Sequence, residues 1–196
     1  AKAVGEAVAL RSALGLPPVP IPPERPPTAA TIELGRQLFS SPDLSVDGTR
    51  SCAACHQPAH AFAEEAATSL GVRRQRGKRN APTLLNAAFL PLQFHDGRAD
   101  SLEAQASGPI LNPIEMAHSK ESLLAKLNGS AAWRTKFAAA FGAAAITLDQ
   151  VTYALAAYER TLISGNSPFD RFAYGGDPSA LSPAAQRGLA LFRDPQ

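Results

Sequence analysis

The chain has 196 residues, 45% of them hydrophobic and 18% charged, with a formal net charge of +2. That length holds one sizeable core or two small ones, and so balanced a charge lacks the basic face of a nucleic-acid binder. The longest nearly apolar run, 137–148, has 12 residues and is too short to span a membrane.

Residues 1–15 predict a short helix with Val4, Val8 and Leu10 as its apolar positions. From Pro17 to Pro27, seven of eleven positions are proline. This predicts an extended, polyproline-like strap packed across the domain. Thr28 predicts the N-cap of a helix through Phe39, with Ile32, Leu34, Leu38 and Phe39 on its buried side. Residues 40–48 carry turn residues and read as a loop.

Cys52-Ala-Ala-Cys-His56 follows and holds both cysteines of the chain. C-x-x-C-H is the attachment pattern of a covalent c-type haem. The spacing lets both thiols reach the two vinyl groups of one porphyrin from a single helical turn, and His56 gives iron its proximal nitrogen. Three other readings fit less well. A dithiol redox pair expects a βαβ setting. A zinc site needs a second Cys/His cluster at ligand spacing. A disulfide closing so tight a loop would constrain little. Covalent haem attachment is what exported cytochromes undergo, so the motif also implies a periplasmic location.

Residues 57–80 look irregular. Arg73, Arg74, Arg76, Lys78 and Arg79 put five cations in seven positions, which reads as a solvated loop with one arginine on a haem propionate. Residues 81–89 form a short helix or turn. Asp100-x-x-Glu103 resembles a capping box for a helix through Ser107, broken by Gly108-Pro109. Ser119 caps a helix over 120–127, and another spans 130–141 with Trp133, Phe137 and Phe141 in the core. Thr147-x-x-Gln150 opens a helix with Val151, Leu155, Tyr158 and Leu162 on one face. Ser182-Pro183 opens a last helix to about Phe192. No stretch alternates as a strand, so the predicted fold is all-α: a cytochrome c-like haem domain with an N-terminal Pro-rich strap.

Several segments together resemble the bacterial di-haem cytochrome c peroxidase family, including its MauG-like branch. They are Leu34-Gly-Arg-Gln-Leu-Phe39, Asp47-Gly48, Ser51-Cys-Ala-Ala-Cys-His56, Arg79-Asn-Ala-Pro-Thr-Leu-Leu-Asn-Ala-Ala-Phe89, Asp96-Gly-Arg-Ala-Asp-Ser-Leu-Glu103, Gln105 and Asn112-Pro-Ile-Glu-Met116. The likeness covers residues 31–195. It implies that this haem is the peroxide site, with Glu115 as distal acid/base and Gln105 sharing the pocket. A carboxylate takes a proton from the inner oxygen of bound peroxide and returns it to the outer one, leaving a ferryl state. Gln105 holds peroxide or water in either hydrogen-bonding direction. The same likeness places Asn80 among the ligands of a calcium ion between two haem domains.

Two departures from the family pattern carry expectations. Relatives that need reductive activation have a histidine where this chain has Leu70-Gly71-Val72, so the sixth iron position should be open. Where the family often has tryptophan before D-G-R, this chain has His95. It is either a contact between haems and their propionates or a partly buried, hydrogen-bonded histidine. His60, four residues after His56, stays on the proximal side, and His118 caps or solvates a loop. The 181–192 stretch repeats the logic of 32–39. Residues 1–27 are thus expected as an extension, 28–180 as the peroxidatic haem domain, and 181–196 as the start of a second haem domain.

The expected function is a haem peroxidase or oxidase reducing hydrogen peroxide. Its electrons come from a second haem, a small redox protein or an oxidised protein substrate. The alternative is a c-type electron carrier, for which Met116 is the sole methionine able to fill the sixth position.

Overall fold

Helix α1 (Ala29–Ser40) crosses helix α6 (Leu148–Glu159), and the molecule is built around that crossing. Thr28 starts α1: its hydroxyl accepts from Thr31 N while the Thr31 hydroxyl accepts from Thr28 N. Leu34, Leu38 and Phe39 follow on the buried side. Gly35 lies where the backbones meet, and a Cβ there would stand 1.8 Å from the Ala154 carbonyl oxygen of α6.

The computed structural model describes residues 2–142 and 144–195. The other helices are α2 (Cys52–Cys55), α3 (Leu102–Leu111), α4 (Lys120–Gly129), α5 (Ala131–Phe141), α7 (Pro168–Tyr174) and α8 (Pro183–Arg193). Short 3-10 turns and isolated bridges complete the described residues, with no strand among them. One face of α6 was expected to be apolar, yet α6 is buried on nearly every side, polar Gln150, Thr152 and Glu159 included. The reason is position: α1 and α3 both pack on it. Trp133, Phe137 and Phe141 enter the core as their spacing predicts.

Several expectations fail. Residues 2–15 form no helix: Val4 N donates to Ala140 O at 2.8 Å and Val8 N to Pro27 O at 2.7 Å, so tertiary contacts hold an extended segment. Gly5 at φ +98° and Gly15 at φ +88° interrupt any helical run. The expected strap is present, fastened by Tyr153 Oη donating to Pro26 O at 2.7 Å and by Arg25 paired with Asp149 at 2.5 Å. Helix α3 is capped by Ser101 instead of Asp100, and it runs through Gly108-Pro109 to Leu111. Pro109 removes one backbone donor from α3, but Asn112 N still reaches Gly108 O. Glu103 is no cap at all, since both its oxygens go to Arg160, at 2.8 and 3.0 Å. Helix α7 was not predicted, although Ser167, Pro168 and the capping box with Asp170 give it the same opening as α8.

Beside that ion pair lies Glu159, 5% exposed, with Oε2 lacking a hydrogen-bond partner among the described residues. Burial pushes its pKa up from 4.5 to about 8, with Arg160 opposing and Glu103 assisting. Between those values the folded chain keeps a proton that the unfolded chain has lost, so stability falls as pH rises through the window. Glu159→Gln is expected to remove this slope. By denaturant unfolding the variant should gain on the order of a few kcal/mol over the parent near pH 9 and little near pH 5.

Candidate active site

The one-turn helix α2 places Cys52 and Cys55 on the same face, and His56 closes it with its N–H on Cys52 O at 2.8 Å. Both thiols are unpaired. Burial pushes both upward in pKa, Cys52 far above its usual range. Thiols held neutral are poor in dithiol exchange or zinc binding. They suit thioether bonds to vinyl carbons.

The His56 ring is oriented for metal binding. Nδ1 donates toward Pro82 O at 3.0 Å and Phe62 O at 3.2 Å. That fixes the proton on Nδ1 and leaves the Nε2 lone pair for iron. Burial also lowers the pKa of His56, which keeps the ring neutral and ligating. Ala61 (φ 54°) and Phe62 (φ 58°) are both left-handed, which turns the chain back and brings the Phe62 carbonyl to the ring. Two thiols, a pre-oriented imidazole, and Phe39 and Phe62 packed together at 6.1 Å make a donor set that fits haem c.

Glu115 is set in the turn after α3. Asn112 Oδ1 accepts from Ile114 N at 2.9 Å, and Asn112 Nδ2 donates to Glu115 Oε1 at 2.8 Å. The 70–72 loop presses on this turn: Val72 N donates to Glu115 O at 2.9 Å, and a Cβ on Gly71 would stand 1.8 Å from Ile114 O. Val72 is fully buried. Burial raises the Glu115 pKa, while Arg98 and the Asn112 amide pull it down. Burial is the main reason the Cys55 thiol is raised; Glu64 adds to it, and Glu115 contributes least. Gln105 is half-buried on α3, and its side chain makes no hydrogen bond among the described residues. Asn112 is the partner that sequence reasoning missed. The Asn-Pro pair of an Asx turn was the signal for it.

The remaining residues sort plainly. His95 is exposed and has no hydrogen bond among the described residues, so it is not the partly buried, bonded histidine of one reading. Its loop is fixed instead by Asp96, which pairs with Arg98 at 2.7 Å and Arg79 at 3.3 Å. Asn80 Nδ2 donates to Glu64 O and Ala66 O, each at 2.7 Å, and Oδ1 remains for a cation. His60 is exposed and 3.2 Å from Glu65. His118, expected to cap or solvate a loop, is 4% exposed and therefore not solvated, and its Nδ1 lies 2.9 Å from Ser122 Oγ in the first turn of α4. Met116 and Leu123 on either side of it are buried in the hydrophobic core. All five cations of the basic run are exposed.

Comparison with known proteins agrees with this geometry. Residues 29–178 match the family model described as di-haem cytochrome c peroxidase. The cytochrome c551 peroxidase of Nitrosomonas europaea is 39% identical, over 89% of this chain and 52% of its own. The methylamine utilization protein MauG of Methylorubrum extorquens is 42% identical, over 89% of this chain and 49% of its own. The crystal structure of a MauG-like protein associated with microbial copper homeostasis superposes with a TM-score of 0.81 at 30% identity, covering 91% of this chain and 53% of that one. The chain thus spans about half the length of these relatives. The all-α, cytochrome c-like architecture is theirs too, and this chain belongs to the di-haem cytochrome c peroxidase family.

Proposed function

We propose that this chain is the peroxide-reacting half of a periplasmic haem peroxidase or oxidase. Cys52 and Cys55 hold haem c and His56 ligates its iron. When bound, the haem supplies the iron centre at which peroxide is reduced. The observation that carries the reading is Glu115: a half-buried carboxyl of raised pKa, held by Asn112 in the turn on which the 70–72 loop packs. A carboxyl raised in this way can take a proton from a bound peroxide and give it back. Asn112 aims it, and Gln105 supplies an unengaged amide. Val72 puts an apolar, non-ligating side chain in the adjoining loop.

Met116 is 5% exposed and packed in the hydrophobic core, which disfavours the electron-carrier alternative. The reading extends to a second haem domain begun by residues 181–196. In α8, Leu191 and Phe192 are 76% and 87% exposed, whereas the matching Leu38 and Phe39 of α1 are 0% and 1% exposed. Calcium at Asn80 Oδ1, and electrons from a second haem, a small redox protein or a protein substrate, belong to the same proposal. No helix among the described residues is long and apolar enough to cross a membrane.

Haem count and ferric spin state test the reading. One covalent haem on Cys52 and Cys55 with a high-spin ferric signal is expected. A low-spin His/Met spectrum from that haem, or no haem, overturns it.

A further inference from the structure

The α1–α6 crossing also aligns three rings. Phe39 of α1 has its ring centroid 6.5 Å from that of His56 and 5.3 Å from that of Tyr158 on α6. Gly35 makes this contact close, because a Cβ there would meet the Tyr158 Cβ at 2.8 Å. The described part of the iron ligand's aromatic surroundings therefore leads, through one phenyl ring, to a phenol.

The phenol differs from the other tyrosines. The chain has three tyrosines and one tryptophan. Tyr153 is 1% exposed and its hydroxyl is anchored on Pro26 O. It ends a separate stack that runs through Phe141 and Phe137 to Trp133. Tyr174 is 63% exposed and stacks on Phe169 alone among the described aromatic pairs. Tyr158 has a packed ring and is only partly exposed, yet its hydroxyl makes no hydrogen bond to the described residues and is not among the buried unpartnered atoms. The oxygen is therefore not sealed in the core. A phenylalanine would pack the same ring, so the hydroxyl has no structural task here.

We infer that Tyr158 is a one-electron donor to the haem site, with Phe39 and His56 as the packed medium between them, and so an outlet for oxidising equivalents at the protein surface. The inference rests on the peroxide-reducing reading above. Hydrogen peroxide takes two electrons and two protons to become two waters. Tyr158 supplies one of the electrons, and as its O–H bond breaks the proton passes to solvent. The other electron comes from the redox donor of that reading, and the two protons that peroxide consumes come from solvent. The neutral tyrosyl radical returns to phenol by taking one electron from a one-electron reductant in solution and one proton from water. Phe39 itself is not oxidised, since an unsubstituted phenyl ring holds its electrons far more tightly than a phenol. Arg36 and Glu159 are the charged groups whose fields reach Tyr158.

Freeze-quench EPR on the haem-loaded protein after hydrogen peroxide addition tests this. A tyrosyl signal that narrows with ring-deuterated tyrosine is expected. It should be lost in Tyr158→Phe and kept in Tyr174→Phe, and in Tyr158→Phe the peroxide-induced Soret change should decay more slowly. A radical that persists in Tyr158→Phe overturns the inference, as does a Soret change without any tyrosyl radical in the parent. No Soret change in the parent means instead that the peroxide-reducing reading fails, and the outlet falls with it.

Discussion

Glu115→Gln is expected to slow the reaction of the haem-loaded protein with hydrogen peroxide by about 10²–10⁴-fold, the usual worth of a positioned proton-transfer group. The substitution keeps shape and one acceptor. The amide oxygen of glutamine can still receive Asn112 Nδ2, now 2.8 Å from Glu115 Oε1. What disappears is the ability to take a proton and give it back. Haem content and ferric spin state should be unchanged, which separates lost chemistry from lost folding. The pH profile gives a second reading. A base works when deprotonated, and burial raises the pKa of this one. Peroxide reactivity of the parent should therefore fall as pH drops through that raised value, and the limb should vanish in the variant. Stopped-flow rates equal to the parent's would remove Glu115 from the mechanism.

Gly35→Ala is expected to destabilise the fold by about 3 kcal/mol or more, beyond the ordinary range for an added methyl in a packed core. The new Cβ would lie 1.8 Å from Ala154 O and 2.6 Å from the carbonyl carbon. Both are backbone atoms of a helix buried on nearly every side, so neither can swing away. Alanine's better helix propensity returns at most about 1 kcal/mol, so overlap wins. For a chain of this length the melting midpoint should drop by roughly 6–12 °C. Gly188 is the control: it also sits inside a helix, α8, but a Cβ there meets nothing within 4 Å. Gly188→Ala should leave the midpoint unchanged or raise it slightly. Equal shifts in the two variants, measured by circular dichroism, would show that close approach at Gly35 is not what matters.

Helix beginnings were legible because caps are local chemistry. Thr28, Ser119, Ser130, Thr147 and Ser182 each sit where a side-chain oxygen meets a free backbone N–H, and each starts a helix. Ser167 carried the same signal unread. The attachment motif was legible because its spacing is itself the chemistry. What escaped depends on distant partners. Residues 2–15 had helical spacing but no cap, and bonds to Pro27 and Ala140 decided their course. Glu103 looked like a capping acid until Arg160, 57 residues on, claimed it. His118 read as capping or solvating a loop because nothing nearby in the chain announces its burial. The partner of Glu115 was only three residues away, but an Asn-Pro turn reads first as a break in the chain.

Every helix longer than one turn lies outside residues 41–101. The framework is thus assembled from the two flanks, while the porphyrin-bearing middle is a long excursion pinned by short turns and single bonds. Long excursions add little closure entropy over shorter ones, so the flanks can dock before the middle settles. Local opening of the middle therefore leaves the α1–α6 crossing intact, and the segment that carries Cys52, Cys55 and His56 is the part of the fold freest to rearrange.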